Sequence, residues 1–361
     1  QITATDGGSL TDVETVSVTV VNANDAPVFT SSTTFSQPEN TNSEFDVVAS
    51  DADGDTVTYG ITGGDNGARF TINASTGVLM FSGFVPNFES PTFNADNDYE
   101  VEITATDNGS GSLTASQTIV VSVTNVNEAP AITSASTANF VENATSTVID
   151  VAHTDVDSGD SIAYTLTGSV DDGLFDIVEG TGVITFKSAP DFETKLGGTG
   201  NDSNDYVIEV TATDGGSLTD TQTITISVTN VNDNNPVFTT SAFTNVQENQ
   251  TVAGTAAATD ADGSSLTFTL AGAGADNDLF NITSGGAITF KSAPDFETPL
   301  GGSSNDSNTY EITVNVNDGS VDVVQAHTIA VVNVSDNNPA FTTSAFTNVQ
   351  ENQTVAGTAA A

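Results

Sequence analysis

Apolar and polar residues alternate along several short segments of the chain. In residues 99–105 (YEVEITA) every second residue is apolar, and the residues between them are Glu or Thr. Residues 206–212 (YVIEVTA) and 310–316 (YEITVNV) follow nearly the same pattern, and residues 16–20 (VSVTV) and 119–123 (IVVSV) follow it over a shorter length. A period of two predicts β-strands that bury one face and expose the other.

Turn signals separate these predicted strands. Steps such as Asp-Gly-Gly, Asn-Gly and Gly-Gly recur about every ten residues. About seven strands per hundred residues, with no amphipathic helix pattern between them, favour an all-β fold built of β-sandwiches.

The strand pattern is repeated with a period of about one domain. A Glu-Asn step occurs at residues 39–40, 142–143, 248–249 and 351–352, and residues 235–258 return almost unchanged as residues 338–361. A period near 100 residues suits whole domains in a tandem array. We name the three complete copies repeat 1 (27–128), repeat 2 (129–234) and repeat 3 (235–337). Residues 1–26 hold only the last strands of a repeat and residues 338–361 only the first ones, so we expect the chain to be a segment of a longer protein.

The charge balance restricts the possible partners. The chain has 48 Asp and Glu against 4 Lys and Arg, a net charge of −44. Such a chain repels phosphate backbones and anionic lipid, so nucleic acid and membrane surfaces are disfavoured as partners, and metal cations or a basic partner are favoured. The chain has no Cys, so no disulfide holds these small domains together.

Five acidic motifs recur at fixed places in the repeats. They are the Glu of the Glu-Asn step, an Asp-x-Asp step, an Asp-Phe-Glu step, the Asp that ends the Tyr-led strand, and the junction itself. In repeat 1 the Asp-Phe-Glu step is replaced by Asn87-Phe88-Glu89. The candidate metal ligands from these motifs are Glu39, Glu142 and Glu248; Asp51, Asp53, Asp155, Asp157, Asp260 and Asp262; Glu89, Asp191, Glu193, Asp295 and Glu297; Asp107, Asp214 and Asp318; and Asn24, Asp25, Asn127, Glu128, Asn232, Asp233, Asn234, Asp336 and Asn337.

Hard oxygen donors in this number favour Ca²⁺, which takes six to eight oxygen ligands. Zinc and iron prefer His or Cys, and the chain has two His and no Cys. A single Asp-x-Asp-Gly or Asn-Asp-Asn-Pro step is typical of an ordinary turn. The recurrence of all five motifs around the junctions is what favours a metal site.

The same motifs carry a family resemblance. The Glu-Asn step, Asp-Phe-Glu, Asp-x-Asp, Ala-x-Asp-Gly and NVNDNNP (residues 230–236) together resemble the cadherin repeat. The resemblance extends over the whole chain, and the near-identical copies and the Ala, Thr, Gly and Asp-rich composition resemble bacterial members found in large surface and secreted proteins. It implies seven-stranded Greek-key sandwiches in an elongated rod, with about three Ca²⁺ ions at each junction.

The resemblance also implies which residues bind at each junction. At the second inner junction (residues 230–236), the implied ligands include the backbone carbonyls of Val231 and Asn234. At the first inner junction (residues 125–130), Asn87 replaces an Asp and VNEAP is one residue shorter than VNDNNP, so we expect weaker binding or fewer ions there. The N-terminal junction at Asn24-Asp25 and the C-terminal junction at Asp336-Asn337 have incomplete ligand sets.

These inferences predict a calcium-binding stalk of a bacterial surface adhesin or extracellular filament, with other copies of the chain or surface glycans as possible partners. Two other functions remain open. The repeats could bind polysaccharide through their loops, which would favour exposed aromatic residues on one face, or they could be an accessory segment of a large secreted polysaccharide-degrading enzyme. The chain has no GxSxG, P-loop or HExxH motif, and His153 and His327 lie in different repeats, so we expect no catalytic site in this segment.

Overall fold

The computed structural model describes residues 1–91, 96–199, 201–272, 274–302, 307–342, 351 and 358–359. These residues form β-strands joined by loops, with three 3₁₀ turns of three residues each. The predicted all-β class is therefore confirmed. None of the helical turns among the described residues is long enough to cross a membrane. The 3₁₀ turns are Gly67–Arg69, Asp172–Leu174 and Asn277–Leu279.

Repeat 1 contains nine strand segments, in which the first and second strands of the sandwich are each broken into two pieces. The strands are β3 (Val28–Phe29), β4 (Thr34–Pro38), β5 (Phe45–Asp46), β6 (Ala49–Ser50), β7 (Thr58–Gly63), β8 (Phe70–Ile72), β9 (Val78–Phe81), β10 (Asp98–Thr106) and β11 (Thr114–Thr124). The segments β1 (Ile2–Thr5) and β2 (Thr11–Glu14) precede them.

Repeats 2 and 3 contain the same nine segments in the same order. In repeat 2 they are β12 (Ala131–Ile132), β13 (Thr137–Val141), β14 (Ile149–Asp150), β15 (His153–Thr154), β16 (Ala163–Leu166), β17 (Phe175–Ile177), β18 (Val183–Phe186), β19 (Asp205–Thr213) and β20 (Thr219–Thr229). In repeat 3 they are β21 (Val237–Phe238), β22 (Val246–Gln247), β23 (Val252–Thr255), β24 (Ala258–Thr259), β25 (Thr267–Leu270), β26 (Phe280–Ile282), β27 (Ala287–Phe290), β28 (Thr309–Asn317) and β29 (Asp322–Val332).

Each repeat is a two-layered Greek-key sandwich. In repeat 2 the larger sheet has the order β13-β20-β19-β16, and the smaller one β14-β18-β17 with β12 and β15 paired beside it. The first long strand, β13, runs parallel to the last, β20. Repeats 1 and 3 have the same strand order. The parallel pair places the start of the repeat beside its end, and so brings the Glu-Asn step close to the following junction.

Three separate hydrophobic cores fill the sandwiches. The alternating residues of the Tyr-led strands point inward, as their period of two predicts. Tyr99, Tyr206 and Tyr310 are almost completely buried. Each repeat therefore supplies its own core.

One predicted strand is absent. Residues 16–20 form no strand, and Val16, Val18 and Val20 are exposed. Alternation produces a strand only where a sheet covers its apolar face, and the described residues that precede repeat 1 form one two-stranded pair, β1-β2. The predicted partial repeat at residues 338–361 lies mostly outside the described residues.

Candidate metal centres at the junctions

The Glu of each Glu-Asn step lies at the end of the strand that runs parallel to the last strand. Its side chain is buried in all three repeats. One carboxylate oxygen accepts a hydrogen bond from a junction amide, and the other accepts one from the amide of the Phe in the third motif. The amide donors are Val126 and Phe88 for Glu39 (3.0 and 2.8 Å), Val231 and Phe192 for Glu142 (2.6 and 2.8 Å), and Val334 and Phe296 for Glu248 (2.7 and 2.8 Å).

The N-terminal junction and the two inner junctions are also hydrogen-bonded to the repeat that follows them. The amide of Asn234 donates to the Oδ2 atom of Asp262 at 2.7 Å. The amides of Asp25 and Glu128 do the same to Asp53 and Asp157, at 2.6 and 2.7 Å. The second carboxylate of the Asp-x-Asp motif thus holds the junction chain, while the Glu-Asn carboxylate holds it from the preceding repeat.

The second inner junction collects carboxylates from three parts of the chain. Glu142 and Glu193 of repeat 2, Asp233 of the junction segment (residues 230–236) and Asp262 of repeat 3 each offer an oxygen atom, and these atoms all lie within 4.8 Å of one another. The side-chain amide of Asn234 donates to Glu193, Asp233 and Asp262 at 3.1, 2.9 and 3.0 Å. These four residues belong to the larger ligand set that the sequence predicted, while Asp191, Asp260 and Asp318 lie outside the cluster.

The first inner junction has two smaller clusters. Glu39, Glu89 and Glu128 form one, and Asp155, Asp160 and Asp214 form the other. Asp157 belongs to neither cluster, and its oxygens accept hydrogen bonds from the side chain of Asn125 (2.7 Å) and the backbone amide of Glu128. No carboxylate of repeat 2 is in the cluster that contains Glu128.

Among the described residues, each outer junction has one cluster, and its members come from a single repeat. Asp51, Asp53 and Asp55 form the N-terminal one, and Glu248, Asp295 and Glu297 the C-terminal one.

The other predicted residues lie around these clusters. The side-chain amides of Asn24 and Asn127 donate to the carboxylates of Asp107 and Asp214 at 3.0 and 2.9 Å, and the side-chain amide of Asn232 donates to the backbone carbonyl of Asp318 at 3.4 Å. The carboxylates of Asp191 and Asp260 accept hydrogen bonds from the backbone amides of Thr194 and Ser264 at 2.8 and 3.2 Å. The carboxylate of Asp336 accepts one from the side chain of Asn249 at 2.7 Å, and Asn337 is exposed.

The clusters shift the pKa values of their carboxyl groups in opposite directions. Loss of solvent and the neighbouring Glu142 raise the pKa of Asp233, and loss of solvent together with Glu142 likewise raises that of Glu193. The hydrogen bonds from the side chain and amide of Asn234 lower the pKa of Asp262. Like charges held this close disfavour one another unless a cation compensates them.

Buried carboxylate oxygens without partners show that the clusters fit a hard cation. Among the described residues, seven such oxygens have no hydrogen-bond donor, and all lie at the junctions. Leaving a buried acceptor unsatisfied is costly, so such groups call for an explanation such as a bound ion. Oxygen-only donor sets of several carboxylates suit Ca²⁺. The seven oxygens belong to Asp51, Glu89, Glu128, Asp155, Glu193, Asp260 and Asp318.

Some cluster residues were missed in the sequence. Asp55 and Asp160 follow the Asp-x-Asp motifs by two and three residues, and this extra acid was the available signal. The asparagine of each Glu-Asn step was also missed. The side chains of Asn40 and Asn143 donate to the junction carboxylates of Glu128 and Asp233 at 2.7 and 2.6 Å.

Comparisons with known proteins agree with this organisation. The family model of the cadherin domain matches residues 33–124 and 136–229, about half of the chain. Human Protocadherin Fat 1 is 28% identical over 98% of the chain, which spans 8% of that protein's length. A mouse Cadherin-23 EC22-24 structure covers 86% of the chain and is itself fully covered, with a TM-score of 0.61 and 21% identity. The structure of the Protocadherin GammaB4 extracellular domain matches 92% of this chain, with a TM-score of 0.66 and 22% identity. The match takes in 53% of that domain structure.

Proposed function

The chain belongs to the cadherin domain family, and we propose that its repeats form a calcium-binding stalk whose inner junctions become rigid when Ca²⁺ is bound. The observation that carries this proposal is the four-carboxylate cluster of the second inner junction. Its members come from the body of repeat 2, from the junction segment 230–236 and from repeat 3. A ligand common to all four would tie both repeats to the segment between them.

The chain's own hydrogen bonds already hold the ligands in place. Glu142 is fixed by the amides of Val231 and Phe192, and Asp262 by the amide of Asn234. In these positions Glu142 and Glu193 would hold the ion from repeat 2, and Asp262 from repeat 3. When bound, Ca²⁺ would supply the positive charge that offsets the mutual repulsion of these carboxylates.

Calcium would then have a role that disulfides have in other small extracellular domains. At a hundredfold excess over the dissociation constant, one bound ion contributes about 2.7 kcal/mol to the free energy of unfolding. A disulfide contributes about 2–4 kcal/mol, and the chain has no Cys.

We further propose that the stalk belongs to a bacterial surface adhesin or extracellular filament, with repeat boundaries at 27–128, 129–234 and 235–337. The low content of basic residues and the near-identical copies support an extended, highly charged spacer. The complete gene provides the test: we expect an export signal and a surface anchor or adhesive domain. A cytoplasmic enzyme in the same reading frame would contradict this role.

A calcium titration tests the stalk directly. We expect Ca²⁺ at millimolar concentration to raise the melting temperature and to narrow the distance distribution between spin labels in repeats 2 and 3; labelling is simple because the chain has no Cys. Glu193→Gln should weaken both effects, while Glu179→Gln, at an exposed loop position, should not. If calcium and chelator give the same melting temperature and the same distances, the proposal is wrong.

A further inference from the structure

Repeats 2 and 3 each contain an apolar pocket at the same place, and its lining includes the proline that precedes the Asp-Phe-Glu step. In repeat 2 its volume is about 240 Å³, and in repeat 3 about 160 Å³. Both open to solvent beside a leucine, Leu196 or Leu300, which are 45% and 49% exposed. The residues that form the repeat 2 pocket include Leu174, Phe186, Lys187, Ser188, Leu196 and Tyr206.

Repeat 1 fills the corresponding place with its own side chain. Its Phe81 and Tyr99 are equivalent to Phe186 and Tyr206, because both pairs make edge-to-face contacts with ring centroids 5.1 Å apart. The ring of Phe84 packs on both Phe81 and Tyr99, at 5.3 and 6.1 Å. Phe81 is buried, as is Phe290 at the same position of repeat 3, whereas Phe186 is only partly buried.

A difference in loop sequence explains why only repeat 1 has this ring. Four residues (SGFV) separate Phe81 from the next proline, while three residues (KSA) occupy the same interval in repeats 2 and 3. Counting back from the proline, Ser188 and Ser292 stand at the position of Phe84. The two pockets therefore correspond to the place that the Phe84 ring occupies in repeat 1, and the shorter loop supplies no ring there.

The size of the pockets suits one aromatic ring. An apolar protein cavity of about 150 Å³ admits benzene. Aromatic side chains on two sides, as supplied by Phe186 and Tyr206, favour edge-on contacts with a third ring. The contacts of Phe84 in repeat 1 show this packing within the same chain.

Lysines lie at both pockets of this strongly acidic chain, and Asp278 also lines the repeat 3 pocket. Only four residues are basic, and Lys187 and Lys291 line the two pockets, with Lys195 next to Leu196. The ammonium of Lys187 donates to the carbonyl of Gly173 at 2.8 Å and that of Lys291 to the carbonyl of Asp278 at 2.7 Å. An ammonium group has three donors, so each lysine retains donors for an anionic ligand group.

We infer that these pockets bind a small aromatic acid, with the ring against Phe186 and Tyr206 (Phe290 and Tyr310 in repeat 3) and the carboxylate at Lys187 or Lys291. Asp176 competes weakly for Lys187, since it lies 4.0 Å away and is largely exposed. Repeat 3 has Asn281 at that position, so Lys291 lacks this competitor. This inference is independent of calcium at the junctions.

Binding of 3-phenylpropionate to the full chain, followed by the methyl signals of labelled leucines in saturating Ca²⁺, tests the inference. We expect saturable shifts at Leu174, Leu196, Leu279 and Leu300, with a dissociation constant on the order of a few millimolar, and no shift at Leu79 of repeat 1. The neutral 3-phenylpropan-1-ol separates the ring contribution from the charge contribution.

Two variants complete the test. Ser188→Phe should abolish the shifts at Leu174 and Leu196 and leave those at Leu279 and Leu300, which serve as the control within the same molecule. Lys187→Gln should weaken binding of the acid to repeat 2 about threefold, as expected for an exposed charge pair, and leave binding of the alcohol unchanged. The inference is overturned if no saturable shift occurs or if Ser188→Phe leaves the repeat 2 shifts intact. It is also overturned if the acid and the alcohol bind repeat 2 equally well both in the unsubstituted chain and in the Lys187→Gln variant.

Discussion

The side-chain amide of Asn143 donates a 2.6 Å hydrogen bond to the Oδ2 atom of Asp233, which lies ninety residues later in the chain. Asn40 and Glu128 form the same pair at 2.7 Å, and so do Asn249 and Asp336. All three asparagines have a positive φ, between 56° and 61°. Asn tolerates this left-handed conformation better than most residues. One asparagine can therefore adopt the backbone conformation of the turn and also donate a hydrogen bond to the junction carboxylate.

We predict that Asn143→Gly weakens calcium binding at the second inner junction. Glycine keeps the left-handed backbone without strain, so the variant removes only the amide that orients Asp233. The calcium midpoint of the melting temperature should rise severalfold, while the melting temperature in chelator changes little. Asn139→Ala, at an exposed position of β13, is the control. An unchanged midpoint in Asn143→Gly would show that the amide does not position the ligand.

Asp233→Ala should loosen its junction more than Glu128→Ala loosens the other. Asp233 clusters with carboxylates of repeats 2 and 3, whereas Glu128 clusters with Glu39 and Glu89 of repeat 1 alone. Removing Asp233 therefore takes away a ligand shared between repeats. The width of the distance distribution between spin labels across each junction, in saturating Ca²⁺, measures the effect. Equal broadening would contradict this ranking.

The period of two correctly predicted a strand wherever the apolar side of the segment is covered by the rest of a sandwich. Tyr99, Tyr206 and Tyr310 begin long strands and are buried because neighbouring strands cover them. Val16, Val18 and Val20 have the same alternation and are exposed. Local pattern alone therefore does not determine a strand, since its apolar face must be covered by other strands.

The acidic clusters at the junctions could be predicted in part because the five motifs recur. Recurrence identified Glu142, Glu193, Asp233 and Asp262, which the structure brings together. The orientation of Asn143 toward Asp233 and the clustering of Asp160 with Asp155 depend on long-range packing that a single sequence does not encode visibly. The pocket beside Phe186 likewise required the comparison of three folded repeats, because it results from one residue missing in a loop.

Asp171 shows that a buried acid can have a purely structural role. It is 2% exposed, and its carboxylate accepts the amides of Gly198 and Val207 at 3.0 and 2.7 Å. In repeat 1 the side-chain carbonyl of Asn66 accepts the amide of Glu100 at 2.9 Å in the same way. The position therefore requires an acceptor, and a negative charge is not needed.

We predict that Asp171→Asn is well tolerated and that Asp171→Ala lowers the free energy of unfolding of repeat 2 by about 2 kcal/mol, because it leaves buried amides without an acceptor. Chemical denaturation in saturating Ca²⁺, with a probe in repeat 2, measures both. Equal losses for Asn and Ala would indicate that the charge matters. An unaffected Ala variant would show that the amides find other acceptors.

His327 replaces an isoleucine of the other repeats. It is 4% exposed, and it stands at the position of Ile119 and Ile224, which are completely buried. The rings of Phe238 and Phe243 pack on it at 5.8 and 4.9 Å. Neither ring nitrogen has a hydrogen-bond partner among the described residues. Burial in this environment lowers the pKa of His327, so the folded repeat holds the neutral form.

We predict that repeat 3 loses stability as the pH falls below about 6.5, the ordinary histidine pKa. Because the folded pKa lies below the unfolded one, the unfolded chain binds the proton first, and stability present above pH 6.5 declines until the pH reaches the folded value. Glu311, on the neighbouring strand β28, lines the same surface cavity as His327. Its own titration therefore needs a control. His327→Ile should remove this decline and raise the melting temperature of repeat 3, and Glu311→Gln should leave the decline in place. Thermal unfolding of each variant between pH 7.5 and about pH 5, with a probe in repeat 3, measures the slope; a slope that persists in His327→Ile would assign the decline to another group.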